Sequence, residues 1–242
     1  MEISQHLHIL DAEGKLLAGA AETAGTAAEV ATCPGWQVRD LLRHTGVVHR
    51  WAAAFVAEEC GSPRPMGDPP GLDGPALVDW YRQAHADLVG TLRAASPDVQ
   101  CWAFLPAPSP LAFWARRQAN ETTVHRVDAE SALGGTPSPI GTEFAVDGID
   151  ELLRGFHARS RSRVRVEKPC RLRVRATDAD AAWTVRLSEE PPVTERGGTE
   201  DVDCELSGAA DQLYLALWNR ADFPHIEGDS ALAALWQETS GV

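Results

Sequence analysis

The sequence predicts an α+β protein: an N-terminal four-helix bundle followed by a smaller domain of mixed strands and helices. Three observations lead there. Apolar residues recur at helical spacing up to about residue 135. Period-two alternation begins only at Cys170. Between the two lies Thr136-Pro137-Ser138-Pro139, a stretch that favours neither element. At roughly 150 residues per domain, a chain of 242 residues is one large domain or two small ones. The boundary divides it into residues 1–137 and 138–242.

Residues 7–30 are rich in Ala, Leu, Glu and Lys, which favour a first helix. Cys33-Pro34-Gly35 is a turn signal. From Trp36 onward, Leu41, His44, Val48, Trp51 and Phe55 follow one another at steps of three and four, one face of a second helix. A Pro-rich loop from Ser62 to Pro75 follows. Leu77, Tyr81, Leu88 and Leu92 then mark a third helix with His85 on the same face. Pro106, Pro108 and Pro110 lead into a fourth, from about Leu111 to Leu133, closed by Gly134-Gly135. Four helices of this length predict a four-helix bundle. In the second domain a helix is expected from about Phe144 to Ser160, and strands at Cys170–Ala176, Ala182–Leu187 and Val202–Leu206. Helices are expected again at about Ala209–Asn219 and Ser230–Glu238.

With 22 basic and 35 acidic residues the formal charge is −13. That argues against a general nucleic-acid binder, which needs a basic surface to replace phosphate counterions, and against docking on anionic lipid. Residues 154–175 run the other way, with nine basic side chains against Glu167. Their alternation favours a solvent-facing strand face paired with acids elsewhere. No apolar run approaches the ~20 residues of a membrane span, and no secretory signal is visible at the N-terminus. Cys33, Cys60, Cys101, Cys170 and Cys204 are odd in number, widely spaced and without a C-x-x-C pair. Reduced thiols in a cytoplasmic protein are therefore expected.

The fourth helix carries Glu121 and His125 four positions apart, hence one turn apart on one face, with Asp128 continuing the line. Most such pairs are solvated helix faces. His44, set in the apolar stripe of the second helix, should face the bundle interior, where a histidine is usually a hydrogen-bonded core residue. Together, however, His44, Glu121 and His125 offer two nitrogens and one oxygen with a fourth position open, the arrangement of a catalytic zinc site. Asp128 either orients a ligand or makes a surface ion pair. His49 lies about 140° around the helix from His44 and is expected at the surface or rim. His85 reads as a packed core histidine or a pocket-lining one, and Trp36 and Trp51 as core.

Thr32-Cys33-Pro34-Gly35-Trp36-Gln37-Val38-Arg39-Asp40-Leu41-Leu42-Arg43-His44, followed by the segment from Arg116 to Asp128, resembles the mycothiol-dependent maleylpyruvate isomerase family, itself similar to DinB-like metal-binding bundles. The stretches Leu213–Arg220 and Ile226–Leu232 are similar to that family's second domain, which is related to sterol-carrier folds. The resemblance implies a zinc ion held by His44, Glu121 and His125, mycothiol as cofactor, and a part in activity for Arg220 as a catalytic and cofactor-binding residue. It departs from the family at Asn120, where a histidine usually precedes the glutamate. The implied reaction is attack of a zinc-activated thiolate on a small-molecule electrophile, by an isomerase or an S-transferase; separately, a monomer is expected. Two other functions remain open from the residues: a zinc hydrolase that needs no thiol, and a non-catalytic lipid- or small-molecule-binding protein.

Overall fold

The computed structural model describes residues 1–198 and 201–241, and the chain divides into two compact units, Met1–Ser138 and Pro139–Val242. The first contains four long helices: α1 (Ile3–Ala24), α2 (Val38–Ala57), α3 (Gly74–Ala94) and α4 (Pro110–Ser131). α1 packs chiefly on α4, and α2 on α3. Leu17 and Ala21 of α1, Val38, Leu41 and Leu42 of α2, Leu77 and Tyr81 of α3 and Ala129 of α4 share one buried cluster.

Each helix start follows from its local sequence. α3 and α4 begin at Asp73-Gly74-Pro75 and Ser109-Pro110, where a polar side chain accepts a backbone N–H and a proline occupies a position whose N–H is spare. At α2, Asp40 accepts from the Gln37 N–H at 3.0 Å, and Val30 N–H bonds Trp36 O at 2.9 Å, so the loop before the helix is held at both ends. α1 stops at Ala24, short of residue 30, because Gly25 takes φ +80°, a conformation that ends helices at glycine. Gly46 of α2 lies against the Trp80 ring of α3, and a Cβ there would collide with it.

α4 differs from the other three. Phe113, Trp114 and Ala119 are buried on it, but so are Arg117, Gln118, Asn120, Thr122, Thr123, His125, Arg126 and Asp128. Such a helix is stable only if its polar groups find partners inside the bundle. Arg126 shows how this is done. Its side chain is fully buried; Nε donates to Glu13 Oε2 on α1 at 2.6 Å, and Nη1 donates to Glu130 Oε2 at 2.7 Å and to Ser138 O at 2.8 Å.

In the second unit α5 (Thr142–Asp150) runs on as a π-helical turn over Glu151–Phe156, so the long helix expected there breaks into two geometries and ends before Ser160. A five-stranded sheet follows, in the order β3-β2-β1-β4-β5: β1 (Cys170–Ala176), β2 (Ala181–Leu187), β3 (Val193–Arg196), β4 (Cys204–Gly208) and β5 (His225–Gly228). β1 and β4 are parallel and the other pairs antiparallel. Leu172, Val185 and Cys204 lie in register on the buried face, as do Val174, Trp183 and Leu206. α6 (Ala210–Leu217) packs on β1 and β4, and α7 (Ser230–Thr239) on β4 and the edge strand β5.

The third strand expected from the sequence is displaced from Val202–Leu206 to Cys204–Gly208, and β3 and β5 were not foreseen. Both lie at the edges of the sheet and are largely exposed, so neither carries the alternation that burial on one face imposes. The strand end of the basic run pairs across to β4: Arg175 Nε donates to Glu205 Oε1 at 2.7 Å, and Arg173 Nη1 lies 3.6 Å from Glu205 Oε2. No helix among the described residues is long and apolar enough to cross a membrane.

Two stability predictions arise here. Arg126→Met leaves Glu13 and Glu130 buried without their cation and should cost about 3–5 kcal/mol in denaturant unfolding, the usual penalty for removing one partner of a buried ion pair. The second concerns His157, 1% exposed, with Nδ1 3.1 Å from Ser162 Oγ and its ring centroid 4.6 Å from that of Trp236. Burial, aided by nearby Arg165, lowers its pKa to about 4. The unfolded chain, with an ordinary histidine near 6.5, therefore takes up this proton first as pH falls. Up to about 3 kcal/mol of stability, complete above pH 6.5, should be lost as pH drops toward 4. His157→Gln should flatten that part of the stability–pH curve.

Candidate metal centre

α2 and α4 bring three of the sequence-selected side chains together. His44 Nε2 lies 3.3 Å from Glu121 Oε1, and His125 Nε2 lies 3.2 Å from the same oxygen. The two imidazole centroids are 5.0 Å apart at an interplanar angle of 77°. Among the described residues, this is the one group of three or more His, Cys, Asp or Glu side chains whose donors gather within 4.8 Å. For metal–ligand bonds of about 2.0–2.1 Å, a tetrahedron has edges of about 3.3 Å, so the two nitrogen–oxygen spacings fit a shared ion.

Side-chain exposure falls from 36% at His44 through 22% at Glu121 to 11% at His125. The cluster is thus rooted in the bundle and open at the His44 side, where the Trp36 ring stands edge-on with its centroid 5.3 Å from that of His44.

The deep end is tightly braced. His125 Nδ1 is 2.8 Å from Asp128 Oδ2, and Thr32 Oγ1 donates to Asp128 Oδ1 at 2.6 Å. Asp128 therefore orients the ring so that Nε2 faces Glu121, and Thr32 ties the turn before α2 to α4. Burial disfavours a charged His125, but the contacts with Asp128 and Glu121 prevail and raise its pKa to about 9. Glu121 is likewise disfavoured by burial, yet His125, His44 and Arg117 hold its carboxyl well below the usual range. A proton and a cation compete for this cluster, as at a metal site of neutral imidazole and carboxylate.

Comparison with known proteins identifies the family. The mycothiol maleylpyruvate isomerase N-terminal domain matches residues 7–130, and the C-terminal domain of the same family matches residues 143–235. The chain belongs to the mycothiol maleylpyruvate isomerase family. A crystal structure of the mycothiol-dependent maleylpyruvate isomerase aligns with a TM-score of 0.64 over 92% of both chains at 14% identity. A mutant of that enzyme aligns at 0.63, again over 92% of both chains, at 13% identity. Both likenesses are of fold. No curated protein sequence matches the chain.

Asn120 is fully buried and donates from Nδ2 to Arg116 O at 3.2 Å, outside the three-residue cluster. His49 overturns the surface reading: it is fully buried, with Nε2 2.9 Å from Thr122 Oγ1, because α3 and α4 both cover that side of α2. Burial, reinforced by His85, holds its pKa well below normal. His85 is a packed core histidine, 3.0 Å from Leu10 O. Trp36 and Trp51 are half-buried rather than core. Arg220 lies in the second unit just beyond α6, where Nη1 donates to Trp218 O at 2.8 Å.

Sequence reading missed Thr32 and Arg117. Arg117 Nη2 lies 3.3 Å from Glu121 Oε2, and its position four residues before Glu121 was the available signal. Thr32 had none, since 96 residues separate it from Asp128. Asp128→Asn should weaken divalent-cation binding by about 10–100-fold, measured by competition with a chromophoric chelator, with a smaller loss in Thr32→Val.

Proposed function

We propose that this chain is a zinc- and mycothiol-dependent enzyme acting on an electrophilic small molecule, either as a maleylpyruvate isomerase-like cis–trans isomerase or as an S-transferase. The observation that carries the reading is the convergence of His44 Nε2 and His125 Nε2 on one oxygen of Glu121, at tetrahedral spacing, in a chain of this family. Two imidazoles and one carboxylate suit zinc and leave its fourth position for an exchangeable ligand. His44, Glu121 and His125 would hold the ion, and Asp128 would keep the His125 tautomer that presents Nε2. The chemistry supplied there by metal and thiol is a nucleophilic sulfur at neutral pH, able to add to an activated double bond and leave after rotation, or to displace a leaving group.

The five cysteines are free, so none is tied up in a disulfide, and none is needed as nucleophile when the sulfur comes from the cofactor. Free thiols also support a cytoplasmic location. By resemblance to the family, Arg220 serves the reaction, and a guanidinium fork suits a substrate carboxylate.

The test is metal analysis of purified protein combined with turnover of maleylpyruvate and a panel of electrophiles, with and without mycothiol. We expect about one zinc per chain and turnover only with the thiol. His44→Ala or His125→Ala should lose the metal and lower activity at least about a hundredfold. Wild-type protein that takes up no zinc would sink the reading. Turnover undiminished without thiol would replace it with a zinc hydrolase.

A further inference from the structure

Two side-chain bridges join α2 to α4 beside the metal position. The first runs from His44 Nε2 to Glu121 Oε1 at 3.3 Å. The second runs from His49 Nε2 to Thr122 Oγ1 at 2.9 Å, and both of its residues are fully buried. On α2 the two histidines are five residues apart, about 7.5 Å along the axis and about 140° around it. On α4 Glu121 and Thr122 are neighbours, about 100° apart. One bridge alone leaves each helix free to roll about it. Two bridges on different sides of the seam oppose both rolling and sliding.

Elsewhere on this seam, Trp51 and Phe55 of α2 meet Trp114 of α4 with ring centroids 5.4 and 5.2 Å apart. Ring contacts of that kind tolerate small shifts, whereas a hydrogen bond weakens steeply as its angle closes. The His49 ring is itself held from α3, its centroid 5.5 Å from that of Tyr81 and 5.7 Å from that of His85. Its Nδ1 is buried and has no partner among the described residues, so the bond to Thr122 is the ring's one hydrogen bond. An apolar side chain of similar size would avoid the cost of that unpaired nitrogen. It would not supply a directional bond across the seam. Burial, reinforced by His85, keeps His49 neutral, so the bridge joins two uncharged groups.

We propose that His49 is a positioning residue for the metal centre: its bond to Thr122 sets the register of α2 against α4, and with it the spacing of His44 Nε2 from Glu121 Oε1. The proposal rests on the metal reading above and adds what holds the two ligand-bearing helices at that spacing. Metal–ligand distances tolerate only about 0.2 Å, so a small slip of α2 takes His44 off the metal position.

Titration of the full-length protein with cobalt(II) tests this, because the visible d–d bands report coordination geometry as well as binding. Thr122→Val removes the hydroxyl from the bridge, and His49→Phe replaces the imidazole by an apolar ring. In both we expect cobalt affinity to fall about tenfold, the lower end of what loss of a supporting contact costs a metal site, with weakened d–d bands. His49→Gln, whose amide can reach Thr122 Oγ1, should stay within about threefold of the wild type. The double variant His49→Phe/Thr122→Val should bind cobalt no more weakly than the worse single variant, because one bond cannot be lost twice. Wild-type affinity and bands in Thr122→Val and His49→Phe overturn the proposal, whatever their melting temperatures. So do additive losses in the double variant, or a His49→Gln as weak as His49→Phe. If His49→Phe does not fold, Thr122→Val decides by the same two readouts. Wild-type protein that takes up no cobalt overturns the metal reading itself, and the inference with it.

Discussion

The first unit depends on one constraint: α4 carries charge through the middle of a helical bundle. Its buried face includes two arginines, a histidine and an aspartate, with Glu121 only slightly more exposed. None of these can be left unpaired in the interior without a cost of several kcal/mol. The surrounding helices therefore supply partners as well as apolar surface. Glu13 of α1 meets Arg126, Thr32 before α2 meets Asp128, and His44 of α2 meets Glu121. Bundle assembly and site assembly are the same set of contacts viewed at different points along α4.

That arrangement explains the contrast between the two ends of the helix. Arg126, Glu13, Glu130 and Ser138 form a closed network in which oppositely charged groups meet directly and hold the bundle together. Around Glu121, two nitrogens converge on one oxygen while a cation holds the other. Without a metal, a protonated His125 offsets the charge of Asp128 and Glu121, and a metal ion would have to displace that proton. Protons compete for this cluster, as the raised pKa of His125 shows. The first network closes on itself; the second gathers donors that could share a metal ion.

Much of this was legible in the sequence. The E-x-x-x-H pair on α4 and His44 in the stripe of α2 required only helical periodicity, because residues four apart must share a face. Arg117, four residues before Glu121, was legible by the same rule and was overlooked. Strand β1 was legible to the residue because burial on one face imposes period two, whereas the exposed edge strands β3 and β5 carry no such imprint. His49 was misread because helical angle relative to His44 says nothing about how many neighbouring helices cover a given side of α2.

The sequence by itself determined the class of the fold, the long helices, the central strands and the shared face of Glu121 and His125 on α4. These follow from short-range periodicity and from the chemistry of side chains one turn apart. Only the tertiary structure decided that His44 meets Glu121 across 77 residues, that Thr32 braces Asp128 across 96, and that His49 is enclosed. Contacts between distant segments depend on how helices pack and on which buried charges find partners, and that balance is settled only when the whole bundle closes.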